Sequence, residues 1–379
     1  MKQLFLLALL IGVAGKTLNA QPLSAYVNFQ NQFVSWDNGM DRKLETLLPR
    51  AFEIGRVAIP YVDNNSNFKI FSNGGTQQIN QGFTTGFYPT DNLIAYQNNR
   101  ALFVWDGGKT TKLSNMASNF VVGDSVVLFF DNARSLYQAY YGGNIYDIEN
   151  FLGATNVFNI DTSVVYDGKS VADGQLPSVK VSDNIAAFVT YSNRFKIFYH
   201  GAIIEQENYT VNSFDVGRNL VAYVDANRAF KVFHNGSTEE LESFPPMNYK
   251  AGDNVAAYVS ADGYFKIFYG GEALEVGYFN PEYRVNDNIV SFKDPSGYFK
   301  LFYKGKLYTL DAFYPTKPYK AAYNSLVYIN GAGMLRMFSD GEVYDVTAAT
   351  VADWRLDYDA LQYRFGQNMY KIFYKGKTY

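Results

Sequence analysis

The stretch "ADGYFKIFYGGEALEV", Ala261 to Val276, returns almost unchanged as "PSGYFKLFYKGKLYTL", Pro295 to Leu310, 34 residues later. Its reading decides the architecture. "YFKIFY" is aromatic and β-branched, which suits a pleated strand. "Gly270-Gly271" follows it, and glycine reaches the positive φ that a two-residue hairpin turn requires. "EALEV" then reads as the returning strand. With Gly271 as a marker, equivalent glycines stand at Gly39, Gly75, Gly108, Gly143, Gly168, Gly201, Gly236, Gly305, Gly341 and Gly376. The successive intervals are 36, 33, 35, 25, 33, 35, 35, 34, 36 and 35, so nine of ten lie between 33 and 36. A repeat this regular is an array of one supersecondary unit.

Each unit keeps one inner order. "Asp253-Asn254" are turn formers, and Val255 to Val259 is a strand. "Ala261-Asp262-Gly263" is a turn, Tyr264 to Tyr269 a second strand, and Glu272 to Val276 a third. A fourth short strand is expected at Tyr283 to Val285, before Asp287-Asn288. In "FKIFY", Phe265, Ile267 and Tyr269 face one way and Lys266 and Phe268 the other, because side chains alternate along a strand. Both faces therefore carry large apolar groups, as a small sheet stacked between two neighbours requires. Three or four strands in about 35 residues, repeated about ten times, describe an all-β chain of β-propeller blades.

The chain resembles β-propeller repeat proteins in general, the TolB-like kind most. The resemblance rests on "Gly252-Asp253-Asn254-Val255-Ala256-Ala257-Tyr258" followed by "Asp262-Gly263", and extends over about residues 24–379. The recurring Trp-Asp of WD repeats and the Asp-box of sialidase propellers are absent. The resemblance implies an architecture and no named activity.

Eleven marker turns exceed the usual four to eight blades. The short interval from Gly143 to Gly168 marks a seam near residues 144–168. One reading is a single large ring closed by pairing of the first and last segments. The other is a seven-unit propeller over about residues 160–379 preceded by about four further units. One continuous array over residues 21–379 is the simpler expectation.

Residues 1–20 read as a secretory signal. Lys2 is followed by the apolar run Leu4 to Gly15, too short to span a bilayer, and Ala20 precedes the expected cleavage point. No later segment is long and apolar enough for a membrane helix. Strands of six or seven residues are too short for an outer-membrane barrel. The chain has no cysteine, which excludes thiolate metal sites and a thiol nucleophile and suits a bacterial periplasmic, cell-surface or secreted protein. The expected host is Gram-negative. A net charge of −3 supplies no basic excess for nucleic acid.

Candidate chemistry follows the repeat. Asp91, Asp124, Asp183, Asp253 and Asp287 each precede the first strand of a unit, so repeat symmetry places them in an arc on one face of the ring. Convergent carboxylates bind hard cations, and calcium is the ion such an arc would take. Other units carry Arg56, Arg218 or Asn324 there. His200 and His234 end the second strand of consecutive units, where adjacent blades could bring them together as a metal or proton-transfer pair, but this turn position tolerates many polar residues and an exposed turn is the better reading. Lys69, Lys196, Lys231, Lys266, Lys300 and Lys371, with Arg336, recur inside the strand motif and must snorkel or pair. The 32 Tyr and 31 Phe mainly fill the space between blades, although aromatics near a rim can stack on sugars. The linear signatures of hydrolases, zinc proteases, phosphate loops and dinucleotide sites are missing. No organic cofactor is expected. The sequence therefore points to an exported, non-catalytic scaffold with a protein or glycan partner on a propeller face. A carbohydrate-binding or carbohydrate-cleaving propeller is the alternative.

Overall fold

A computed structural model describes residues 22–379 except 81–83, 85, 150–178, 191 and 352. The described residues form ten antiparallel sheets, which are ten blades arranged in a ring. No helix occurs among them. Blade 7 shows the plan: strand a (Asn248–Gly252) lies at the centre, then b (Val255–Val259), c (Tyr264–Tyr269) and d (Glu272–Tyr278) at the periphery. The short strand expected at Tyr283 to Val285 is Tyr283–Asn286, and it is strand a of blade 8. The unit read from the sequence is thus offset from the blade by one strand. The reason is topological: each d strand at the rim is joined by a longer connection to the next a strand at the centre.

Blades 2 to 10 have four strands. Blade 1 has three described strands, Leu23–Val27, Phe33–Asp37 and Met40–Glu45, which its Gly39 turn identifies as b, c and d. The chain before Pro22 lies outside the described residues, and the expected signal segment with it. Ten of the eleven marker turns join strands c and d. At these turns both central residues take positive φ, as at Asn235 (49°) and Gly236 (89°) or Asp340 (49°) and Gly341 (96°). The eleventh, Gly168, falls in residues 150–178, outside the described residues. Asn144–Glu149, part of the expected seam, is an ordinary d strand closing blade 4. A separate seven-unit propeller is therefore replaced by one ring.

Every four-stranded blade is built from consecutive chain, so the described residues close the ring by packing rather than by strand exchange. Ser24 Oγ donates to Asp357 Oδ2 at 2.8 Å, and Arg355 Nη2 donates to the Ala25 carbonyl at 2.7 Å. Trp36 of blade 1 packs with Ala360 and Ile372 of blade 10, and its ring lies 6.0 Å from Tyr374 and 5.2 Å from Tyr379.

Between blades, strands b and c are buried on both faces. Val259, Phe265 and Ile267 of blade 7 pack against Val290, Phe292 and Phe302 of blade 8 in one apolar layer. Most of the motif lysines sit at the edge of these layers and are paired, whereas Lys371 lies over the Phe365 ring at 4.9 Å. Lys231 reaches Glu207 on the d strand of the preceding blade and Asp225 in its own b–c turn, both at 2.9 Å. Lys69 does the same with Glu45 (2.7 Å) and Asp63 (2.9 Å), and Lys266 meets Glu242 at 2.8 Å. Tyr61, Tyr223 and Tyr258 donate to the same three glutamates at 3.0 Å. A one-residue register shift between c and d recurs in blades 1 to 9, as at Phe265/Lys266. Such a bulge bends the outer strand and re-aims its side chains, which turns the glutamate toward the next blade.

Trp36→Ala removes the largest side chain from the closure between blades 1 and 10. The expected cost is about 3–5 kcal/mol. Amide exchange should accelerate in Leu23–Val27 and Ala360–Gly366 before it changes in blade 6; uniform acceleration would show that this junction is not the weak point.

Candidate functional site

Because strands alternate in direction, the connections sort onto two ends of the ring. The a–b and c–d hairpin turns share one end, the hairpin face. The b–c turns and the d-to-a connections share the other, the loop face. Hydrogen bonds tie the two loop types together there, as from Tyr314 N to the Gly297 carbonyl and from Asn132 N to the Met116 carbonyl.

At the centre of the hairpin face the a–b turns converge. Gly217 and Gly252 end neighbouring a strands, and a Cβ on Gly217 would lie 1.8 Å from the Gly252 carbonyl oxygen. Only glycine allows the hairpins to come this close. Asp91, Asp124, Asp183, Asp253 and Asp287 all occupy the first turn position or its neighbour, so the expected arc exists. Arg218 completes it from blade 6. Its Nη2 lies 3.3 Å from Asp91 and 3.6 Å from Asp124, and its Nε pairs with Asp183 and lies 3.8 Å from Asp253. Arg56 lies 3.8 Å from Asp91 and stacks 3.9 Å above the Tyr323 ring. Tyr323, not Asn324, holds the equivalent place in blade 9. Its φ of 54°, like the 56° of Tyr358, is one that Asn and Asp reach more easily than an aromatic residue. Among the described residues, no group of three or more His, Asp or Glu side chains is placed to hold a metal ion.

One position further on, an amide ladder links the blades. Asn184 Nδ2 donates to Asn219 Oδ1 at 2.6 Å, Asn219 to Asn254 at 3.0 Å, and Asn288 to Asn324 at 3.0 Å. The sequence shows these asparagines only as turn formers; their recurrence directly after the Asp or Arg was the available signal. The two histidines do not form a pair. His200 stacks on Tyr199 and contacts Asn184, while His234 contacts Asn235 and the edge of Phe268.

Inside this closure the a strands line a cavity of about 600 Å³. Eight carboxylate residues face it, including Glu53, Asp215 and Asp357, against the cations Lys320 and Arg355. Burial, with the charge of Asp287, pushes the Asp91 carboxyl up to about 6, and burial also pushes Asp359 up to about 6. Burial raises Asp124 and Asp253 in the same direction. The Arg218 guanidinium is held charged by Asp253, Asp124 and Asp91 against the effect of its own burial. The centre is thus a clasp in which Arg218 bridges four carboxylates, with Arg56 beside one of them.

The loop face has a different chemistry. Eighteen large apolar side chains are exposed among the described residues. Twelve of them lie at this end, among them Phe29, Leu47, Leu48, Phe244, Phe313 and Phe365. The other six, Met40, Ile145, Ile203, Leu274, Leu307 and Tyr379, lie on or beside outer strands.

Arg218→Met leaves four carboxylates without their shared cation. Removing one partner of a buried ion pair costs about 3–5 kcal/mol, and chemical denaturation at pH 7 should show a loss of that size. A raised carboxyl binds its proton more tightly in the folded chain, so Asp91 and Asp359 oppose folding at pH 7 and cease to do so as pH falls from about 6 to about 4. Asp63 behaves in the opposite way. Although burial pushes it up, Lys69 and Asn67 hold it at about 2, so its contribution is lost between about pH 4 and pH 2. Stability should therefore be greatest between about pH 4 and 6, and Asp91→Asn should flatten the alkaline side of the curve. A curve for that variant identical to the parent's would refute the assignment.

The sequence matches the family of the 10-bladed beta propeller domain over residues 17–379. No curated protein matches the chain. Similar solved structures include the computationally designed Ika8 protein, with 14% identity, 77% of this chain and 96% of that chain covered, and a TM-score of 0.33. The WD40 ectodomain of the Arabidopsis thaliana receptor kinase ACR4 shares 8% identity over 69% of this chain and 95% of that one, at a TM-score of 0.31. PorZ, a surface component of the type-IX secretion system of Porphyromonas gingivalis, shares 9% over 94% and 58%, at 0.27. Ten four-stranded or three-stranded blades in one ring agree with the family match, and the chain belongs to the 10-bladed β-propeller domain family.

Proposed function

We propose that this propeller is an exported, non-catalytic scaffold that presents its loop face to a binding partner in the cell envelope or outside the cell. The observation that carries this reading is the sorting of exposed apolar side chains: twelve of eighteen gather at one end of the ring. Scattered exposed apolar residues are ordinary, whereas a concentration on one face marks an interaction surface. The opposite end is occupied by its own ion pairs and amide ladder, which stabilise the ring. The expected signal at residues 1–20 and the lack of cysteine support export, and the missing enzyme signatures support a binding role.

A carbohydrate partner is a second reading, favoured by one groove. Between blades 6 and 7 the loop face opens into a groove of about 860 Å³ lined by Phe214, Tyr249, Asp215 and Lys180. A ring with polar groups beside it suits a sugar. Glycan-array binding lost in Tyr249→Ala would support this reading, and an array without hits would remove it.

Photo-crosslinking in the native host separates the two faces. A crosslinker at Phe244 or Phe313 should give discrete products, and one at His234 on the hairpin face should not. Products confined to His234, or none from either face, would overturn the scaffold reading.

A further inference from the structure

The exposed apolar groups on the loop face are arranged in an informative way. Phe29 lies in the b–c turn of blade 1, and Leu47 and Leu48 lie between blades 1 and 2. Phe244 lies between blades 6 and 7, Phe313 between blades 8 and 9, and Phe365 next to the end of strand b of blade 10. They stand at loop tips around the ring, with Phe29 at 67%, Phe244 at 70% and Phe313 at 72% exposure. Polar turns such as Asn64-Asn65-Ser66 and Ala226-Asn227 separate them. A protein interface concentrates its energy in a contiguous, desolvated centre. Separated tips around a channel offer no such centre. A bilayer surface accepts each tip independently, provided the tips reach one plane, and the loop ends of a closed ring share such an end.

The charge on this face is the complement of an anionic surface. Arg50, Arg100, Arg228, Lys293 and Lys317 are exposed in its loops and form no ion pair among the described residues. The described exposed acids of the same loops are Asp262, Glu282 and Asp353. Among the described residues, five unpaired exposed cations therefore stand against three exposed acids in these loops, in a chain of net charge −3. Aromatic and aliphatic tips interleaved with Arg and Lys match the interfacial zone of a bilayer, where apolar groups enter the headgroup boundary and cations meet anionic lipids. Pro245, Pro246, Pro315 and Pro318 stiffen the connections that carry Phe244 and Phe313.

We infer that the loop face docks on an anionic lipid surface, with its aromatic and leucine tips entering the headgroup region and its arginines and lysines over the lipid charges. The inference rests on the scaffold reading and names one surface that this face meets. Residues 150–178 lie outside the described residues and are not part of the surface proposed.

The test uses the full chain with vesicles of phosphatidylcholine alone or mixed with phosphatidylglycerol. Phe29→Trp and Phe313→Trp place reporters at exposed positions where the fold is least affected. With phosphatidylglycerol vesicles both should shift their emission to the blue and be quenched by brominated lipid, and the His234→Trp control on the hairpin face should do neither. Phe244→Ser with Phe313→Ser should lower the partition coefficient by about tenfold or more, because neither ring would then enter the apolar layer. Arg228→Glu with Lys317→Glu should lower it several-fold at low salt and less at high salt. Absence of binding to phosphatidylglycerol vesicles by the folded protein would overturn the inference, as would binding reported equally from the hairpin face. If vesicles fail while crosslinks from Phe244 persist, the partner is a macromolecule and only the lipid assignment falls.

Discussion

A blade of about 30 residues is too small to bury both faces of its own sheet, and this constraint organises the whole molecule. Strands b and c are apolar on both sides, so each blade is complete only when a neighbour covers each face. A ring satisfies every blade at once. Each junction has its own apolar layer, such as Phe33 with Tyr61 between blades 1 and 2 and Phe265 with Phe292 between blades 7 and 8. The last junction, between blades 10 and 1, follows the same logic through Trp36, Ala360 and Ile372.

Apolar layers do not by themselves fix the angle between blades, and polar links add that definition. The Lys–Glu–Tyr clusters join the rim of one blade to the body of the next, as in Glu207 with Lys231 and Tyr223. At the centre the asparagine ladder and the Arg218 clasp join the turns of blades that are not all adjacent. The clasp carries a cost, since four carboxylates, three of them buried, converge on Arg218, and Asp91, Asp124 and Asp253 are pushed toward protonation. Replacing any one charge changes the balance for the rest, which is the behaviour of a coupled buried network.

The two ends of the ring divide the work. Polar and ionic groups on the hairpin face are consumed by contacts within the chain. The exposed apolar tips of the loop face are not, and Arg50, Arg100, Arg228, Lys293 and Lys317 there form no ion pair among the described residues, an asymmetry that supports the proposal that this end meets a partner surface.

Much of this was legible in the repeat. The glycine interval identified the hairpins, the two-sided apolar pattern identified stacked blades, and the Asp series was correctly placed on one face. Three things were not legible. The unit boundary was offset by one strand, because local turn signals are equal whether a short strand completes one blade or begins the next. The exact number of blades was left open at about ten, because the marker glycine recurs eleven times and Gly168 lies outside the described residues. The role of Arg218 read only as a break in the arc. Repeat pattern and residue type determined the strands, the turns and the all-β ring. Tertiary structure alone decided that an arginine from blade 6 would reach aspartates of blades 3, 4, 5 and 7, because that depends on how narrow the closed ring is at its centre, a distance no local sequence pattern encodes.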